Sequence, residues 1–202
     1  MLFAFLVSLA LAKIAIDRDT LSLRDEQGRH TIFHGVNVVY KVAPYIPESD
    51  HFDSQDSLTD QDIDNLASWG FNFVRLGVMW EAVERSPGVF NETYLDQVET
   101  LISSLAERGI HTLVDAHQDI FARKICGEGI PNFYAKQLID HGTYCIDRKF
   151  DFLLEPVLKK FGVCKSIKEY DLRYDADGNP LIEDCQKYKF FGIYTSPEAL
   201  TI

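Results

Sequence analysis

Three features of the sequence predict an α/β fold built on a parallel sheet. Runs rich in β-branched and aromatic residues at 35–40, 71–78 and 110–116 read as buried strands. Two helices with clear start and stop signals separate them. The connections are short, so the order strand, helix, strand, helix, strand sets the strands parallel.

Each element has its own signal. From Lys13 to His34 the chain reads as a hairpin: Ile14 and Ile16 alternate with small or polar residues, as do Leu21 and Leu23. Asp25–Gly28 makes the turn and Thr31–Phe33 returns. Gly35–Tyr40 is the first buried strand, and a polar, proline-containing loop follows to Ser57. Thr59 is a helix N-cap with Asp62 as its capping-box partner, and Leu58 and Ile63 form a hydrophobic staple. Ile63, Leu66 and Ala67 make the apolar stripe, and Gly70 ends the helix. Phe71–Val78 is the second strand. After a turn through Pro87-Gly88, Asn91 caps a helix striped by Leu95, Val98, Leu101, Ile102, Leu105 and Ala106, which Gly109 closes. Ile110–Ala116 is the third strand. From 121 to 202 the chain is rich in Gly, Pro, Asp and Tyr, with one helix expected around Phe150–Lys160 and no clear fourth strand.

Composition narrows the function classes. With 46% hydrophobic and 25% charged residues, the chain is neither disordered nor collagen-like. A net charge of −11 argues against a nucleic-acid partner, because phosphate binding needs a basic face. Residues 1–12, MLFAFLVSLALA, form a short apolar run ending in an Ala-x-Ala cleavage pattern and read as a signal peptide, leaving 13–202 as the mature part. The run is too short to span a bilayer. Cys126, Cys145, Cys164 and Cys185 lack a Cys-x-x-Cys spacing, so they suggest two disulfides rather than a metal site. Of the three pairings, sequence neighbours are favoured as loop staples: Cys126–Cys145 and Cys164–Cys185. Asn91-Glu92-Thr93 is a glycosylation sequon. Together these features point to the secretory route, with an extracellular or endolysosomal location.

The residues that could carry chemistry sit at strand ends, where α/β folds gather their sites. The first strand leads to Asn37, Tyr40 and Lys41, the second to Arg75, Trp80 and Glu81, and the third to Asp115, His117 and Asp119. Alternation puts Asp115 and His117 on one face. Arg75 lies inside a hydrophobic run and needs an acidic partner; a core ion pair with Asp115 and an active-site role weigh equally. His117 between two aspartates at a strand end favours a functional role over a satisfied core histidine. Trp80 serves as a sugar-stacking platform or as plain core, and Lys41 on its own reads as a surface lysine. A metal site from His117 and Asp119 lacks a third spaced ligand, so neither metal nor cofactor is expected. No Gly-x-Gly-x-x-Gly, P-loop or Gly-x-Ser-x-Gly motif occurs, which removes nucleotide-binding and serine-hydrolase readings.

The segments HGVNVVYK (34–41), FNFVRLGVMWEAVERSPGVFNETYLDQV (71–98) and GIHTLVDAHQDIF (109–121) resemble glycoside hydrolase family 5. More narrowly they are similar to its endoglycoceramidase branch, as are ARKICGEGIPNF (122–133), DADGNPLIEDC (175–185) and YTSPEA (194–199). The resemblance implies the N-terminal portion of a (β/α)8 TIM barrel over 13–202, incomplete in this chain and preceded by the small hairpin. It implies retaining cleavage of the bond between glycan and ceramide in glycosphingolipids. It also implies a glycosphingolipid or other β-glycoside as partner, and peripheral contact with a membrane or micelle surface. In that family two glutamates do the chemistry, one of them in an Asn-Glu-Pro motif. Neither motif occurs here, so the chain alone is expected to be inactive. What carries over is a supporting shell. Arg75 holds the nucleophile carboxylate ionised, Lys41, His117 and Asp119 line the sugar subsite, and Trp80 packs near them. The alternative is a non-catalytic, secreted glycan- or glycolipid-binding protein; a small secreted α/β protein of unrelated chemistry ranks third.

Overall fold

The computed structural model describes residues 14–119, 121–141, 143–144, 157 and 165–188. At its start β1 (Ala15–Asp17) and β2 (Ser22–Arg24) pair antiparallel. The turn between them contains no glycine. Asp17 builds it, accepting on Oδ1 from the N–H groups of Asp19 and Thr20 and on Oδ2 from Arg24 Nε. The predicted turn at Asp25–Gly28 follows as a second one, closed by an isolated bridge between Arg24 and His30. Thr31–Phe33 does not return as a strand, so the single hairpin expected over 13–34 is two tight turns in series.

The parallel sheet forms as the sequence requires. β3 (Gly35–Val38), β4 (Phe73–Met79) and β7 (His111–His117) lie in the order β3-β4-β7, both pairings parallel. Between them come α1 (Asp60–Ser68), the short α2 (Trp80–Val83), the small hairpin of β5 (Glu84–Ser86) and β6 (Val89–Phe90), and α3 (Glu92–Glu107). The capping box of α1 is complete: the Asp62 N–H donates to Thr59 Oγ1, and the Thr59 N–H donates to Asp62 Oδ2. Asn91 Oδ1 caps α3 by accepting from the Tyr94 N–H. The α2 turn and the β5–β6 hairpin lie beyond the sequence reading.

One sheet face packs on α1 and α3. Val74, Leu76 and Val78 meet a core that includes Ile63, Leu66, Val98, Leu101 and Leu105, all buried. Each such side chain contributes about 1.5–3 kcal/mol by burial, whereas surface ion pairs such as those of Arg108 with Asp60 and Asp64 are screened by solvent and contribute little. The apolar stripe therefore decides how the helices sit. The α3 stripe differs from expectation at its ends. Tyr94 is buried in place of Leu95, because its hydroxyl donates to the Tyr45 carbonyl, and Ala106 faces out.

The other sheet face is polar, carrying Asn37, Arg75 and Asp115. On the far edge of β7, Leu113 and Val114 are about half exposed, and among the described residues no strand pairs with that edge. Gly77 lies within the sheet because Val39 fills the space beside it; a Cβ there would stand 2.8 Å from a Val39 methyl.

Past β7 the chain makes a 3-10 turn (Arg123–Ile125), α4 (Lys136–His141), an antiparallel pair of β8 (Thr143–Tyr144) and β9 (Lys165–Ser166), and α5 (Ile182–Tyr188). A second small core joins Ala122, Ile125, Ile130 and Ala135 to Tyr170 and Leu172. This collapse corrects the expected cysteine pairing. Cys126 bonds Cys185, across 59 residues, with the Cα atoms 5.4 Å apart. Both neighbour pairings are thereby excluded: burial of the satellite core brings α5 back onto the 3-10 turn, which sequence proximity does not reveal. Cys145 and Cys164 lie outside the described residues, as do the 1–12 segment and nearly all of the helix expected at 150–160. No helix among the described residues is long and apolar enough to cross a membrane.

Candidate active site

The three parallel strands deliver their polar side chains to one end and one face of the sheet. Register places Asn37 beside Arg75 and Met79 beside His117. Arg75 Nη1 donates to Asn37 Oδ1 at 2.7 Å, and Nη2 lies 2.6 Å from Asp115 Oδ2. The same Asp115 oxygen stands 2.9 Å from His117 Nδ1. Arg75 Nη2 is also 3.4 Å from Nδ1, but the carboxylate is closer and charged, so Nδ1–H is assigned as donor to Asp115. That assignment leaves Nε2 of His117 as the acceptor nitrogen. It is buried and makes no hydrogen bond, although Asp119 Oδ2 lies 3.4 Å away.

Arg75 thus has the acidic partner its position calls for. Its side chain is 39% exposed, however, because the polar sheet face is open rather than enclosed as a hydrophobic run would suggest.

Lys41 completes the cluster from the loop after β3. Its ammonium lies 2.7 Å from Asp119 Oδ2 and 2.5 Å from Glu128 Oε1. Burial pulls the Lys41 pKa down, but hydrogen bonds from its ammonium to Asp119 and Glu128 outweigh this and hold it above 10.5. The hydrogen bond from Lys41, against an opposing effect of burial, keeps the Asp119 carboxyl below its usual range. Glu128 arrives because Asp119 and Glu128 exchange backbone hydrogen bonds as an isolated antiparallel bridge. Gly129 permits this approach. It has φ +103°, and a Cβ there would stand 2.3 Å from the His117 carbonyl oxygen.

Two further acidic groups brace the loops. Glu81 pairs with Arg123 at 2.8 Å and accepts from the Gly129 N–H at 3.0 Å, while Arg123 also donates to the Lys41 carbonyl. Glu84 is buried and accepts from Trp80 Nε1, the Tyr134 hydroxyl and the Gly88 N–H. The Trp80 and Tyr134 rings lie 4.9 Å apart, each more than a third exposed.

Of the residues singled out from sequence, Lys41, Arg75, His117 and Asp119 converge with Asp115 into one polar cluster. Trp80 opens α2 at the end of β4 and packs on Tyr134. Asn91 is the cap of α3. Sequence reasoning missed Glu128 and Arg123. Glu128 carries a faint signal, sitting between two glycines in Cys126-Gly127-Glu128-Gly129; Arg123 carries none.

The sequence model of the Cellulase family, glycosyl hydrolase family 5, matches residues 25–161. The chain is 38% identical over 120 residues to an endoglycoceramidase of Hydra vulgaris, covering 59% of this chain and 23% of that protein. It is 40% identical over 118 residues to endoglycoceramidase I of Rhodococcus hoagii, covering 58% and 23%. Among solved structures, endo-glycoceramidase II from Rhodococcus sp. is 32% identical with a TM-score of 0.48, covering 63% of this chain and 28% of that one. The chain therefore spans about a quarter of the length of these relatives.

Proposed function

Because this chain belongs to glycosyl hydrolase family 5, we propose that it supplies the sugar-gripping part of a glycosidase that cleaves the O-glycosidic bond between oligosaccharide and ceramide. The observation that carries this reading is the convergence of Lys41, Arg75, His117 and Asp119, drawn from three strand ends, onto one polar face. A sugar ring presents hydroxyls that both donate and accept. Lys41 supplies donors, Asp119 and Glu128 supply acceptors, and His117 presents a ring nitrogen between them. Trp80 and Tyr134 offer apolar ring faces of the kind that pack on the C–H face of a sugar.

The chemistry proposed for the whole protein is retaining hydrolysis, with an acid/base and a nucleophilic carboxylate about 5 Å apart. Neither glutamate motif occurs among these 202 residues, so turnover requires groups that this chain does not contain. Within the chain Arg75 would hold the nucleophile as an anion. Its guanidinium already faces Asp115, and a second carboxylate would share that planar donor array. Secretion, and peripheral contact with a lipid or micelle surface, belong to the same reading.

The test is a hybrid in which residues 25–161, the stretch that the family model matches, replace the corresponding stretch of the Hydra vulgaris relative. It is assayed for release of free glycan from a glycosphingolipid with a fluorescent ceramide. Glycan release supports the proposal, and a folded hybrid without it refutes the assignment. The 202-residue chain alone should show no turnover of glycosphingolipids or aryl β-glycosides.

A further inference from the structure

The ligand that the sequence could not offer beside His117 and Asp119 is supplied in three dimensions by Glu128. One donor atom from each of the three residues lies within 4.8 Å of the others. Nε2 of His117, a residue only 8% exposed, is buried and without a hydrogen bond, and it faces this carboxylate pair. Nδ1 of the same ring is fixed by Asp115 at 2.9 Å. A carboxylate behind an imidazole whose other nitrogen is left without a partner is the outer-shell arrangement of zinc histidines.

The distance between two of the donors agrees with this chemistry. A tetrahedral zinc with bonds of about 2.0–2.1 Å sets its donors roughly 3.3 Å apart. His117 Nε2 and Asp119 Oδ2 already stand 3.4 Å apart. The Lys41 ammonium, 2.7 Å from Asp119 and 2.5 Å from Glu128, is itself a cation bridging the two carboxylates.

We propose that His117, Asp119 and Glu128 form a zinc site that the Lys41 ammonium keeps closed. One imidazole and two carboxylates suit a borderline transition cation; calcium and magnesium, which take oxygen donors in larger number, are disfavoured. Lys41 stands on a flexible four-carbon stem from a loop, so it can swing away when a dication enters. Zinc would then occupy the place proposed for sugar hydroxyls and exclude them. Zinc binding does not depend on the glycosidase reading and can be measured on this chain without turnover.

The experiment is calorimetric titration of the chelator-stripped chain with zinc chloride alone at pH 7.5. The wild type should bind one zinc, and Lys41→Met should bind it about tenfold or more tightly, since the resident cation is gone. Adding Glu128→Gln or His117→Gln to Lys41→Met should weaken binding by about tenfold or more. The 15N shift of His117 Nε2 should move on zinc addition in folded Lys41→Met protein, which keeps the test valid if His117→Gln does not fold. Absence of stoichiometric zinc binding in Lys41→Met would overturn the proposal. So would binding that Glu128→Gln leaves unchanged, or a His117 Nε2 that zinc does not shift.

Discussion

The ammonium of Lys41 lies 2.7 Å from the carboxylate of Asp119, joining the loop after β3 to the end of β7 across 78 residues. The contact moves both pKa values outward. Asp119 is held below 3.8, so its stabilisation is present above that value and lost as pH falls through the folded one. Lys41 is held above 10.5, so its share is present below that value and lost as pH rises through the folded one. The contact therefore persists across the whole interval between them. In a carbon-detected titration the Asp119 carboxyl should have its midpoint below 3.8 and move upward in Lys41→Met. An unchanged midpoint would show that Lys41 does not hold Asp119.

Gly129 should be costly to replace. Gly129→Ala places a Cβ 2.3 Å from the His117 carbonyl in a backbone with φ +103°. It should cost about 2–3 kcal/mol in urea unfolding. Gly28→Ala has positive φ but open space around it, so it should cost only about 1 kcal/mol. Equal losses would mean that the Glu128 loop is not seated on β7.

The Cys126–Cys185 bond closes a 59-residue separation, for which chain entropy gives about 4 kcal/mol of stabilisation. Cys126→Ser should loosen α5 and the satellite core while leaving β3, β4 and β7 protected in hydrogen exchange. Uniform loss of protection would contradict a satellite role. Peptide mapping under non-reducing conditions should recover a Cys126–Cys185 cross-link.

Much of this architecture is legible in the sequence because its signals are local. The Thr59–Asp62 capping box, the Asn91 cap and the apolar stripes of α1 and α3 depend on residues three or four positions apart. The strand-end residues are legible for the same reason, since period-two alternation sets Asp115 and His117 on one face. What escapes is long-range or mimics another signal. The Asp17 turn uses a side chain where glycine is the usual marker, and Tyr94 is buried only because Tyr45 presents a carbonyl to its hydroxyl. Glu128 reaches Lys41 because Gly129 lets two backbones touch, and Cys185 reaches Cys126 through a core assembled from residues 122–172.

The secretory reading is tested by mass mapping of material expressed in a eukaryotic host. Mature protein should begin at Lys13, contain two disulfides in all, and carry a glycan on Asn91. Asn91 caps α3 through Oδ1, so the cap bond does not use the amide nitrogen that glycosylation modifies. An intact Met1 with an unmodified Asn91 would contradict secretion.

The central claim, that the Arg75–His117–Asp119 face grips substrate, is tested most directly by turnover and melting of the hybrid enzyme with single substitutions. Arg75→Lys keeps the charge but loses the planar donor fork, and should cut turnover by about 100-fold or more with the fold intact. His117→Ala and Asp119→Ala should raise KM, lower kcat, or both, with melting temperature lowered by only a few degrees. A purely structural role gives the reverse: a larger loss of melting temperature, at about 2–4 °C or less for each kcal/mol lost in a protein of this size, and normal activity per folded molecule. Full turnover in all three variants would contradict the placement of the active site.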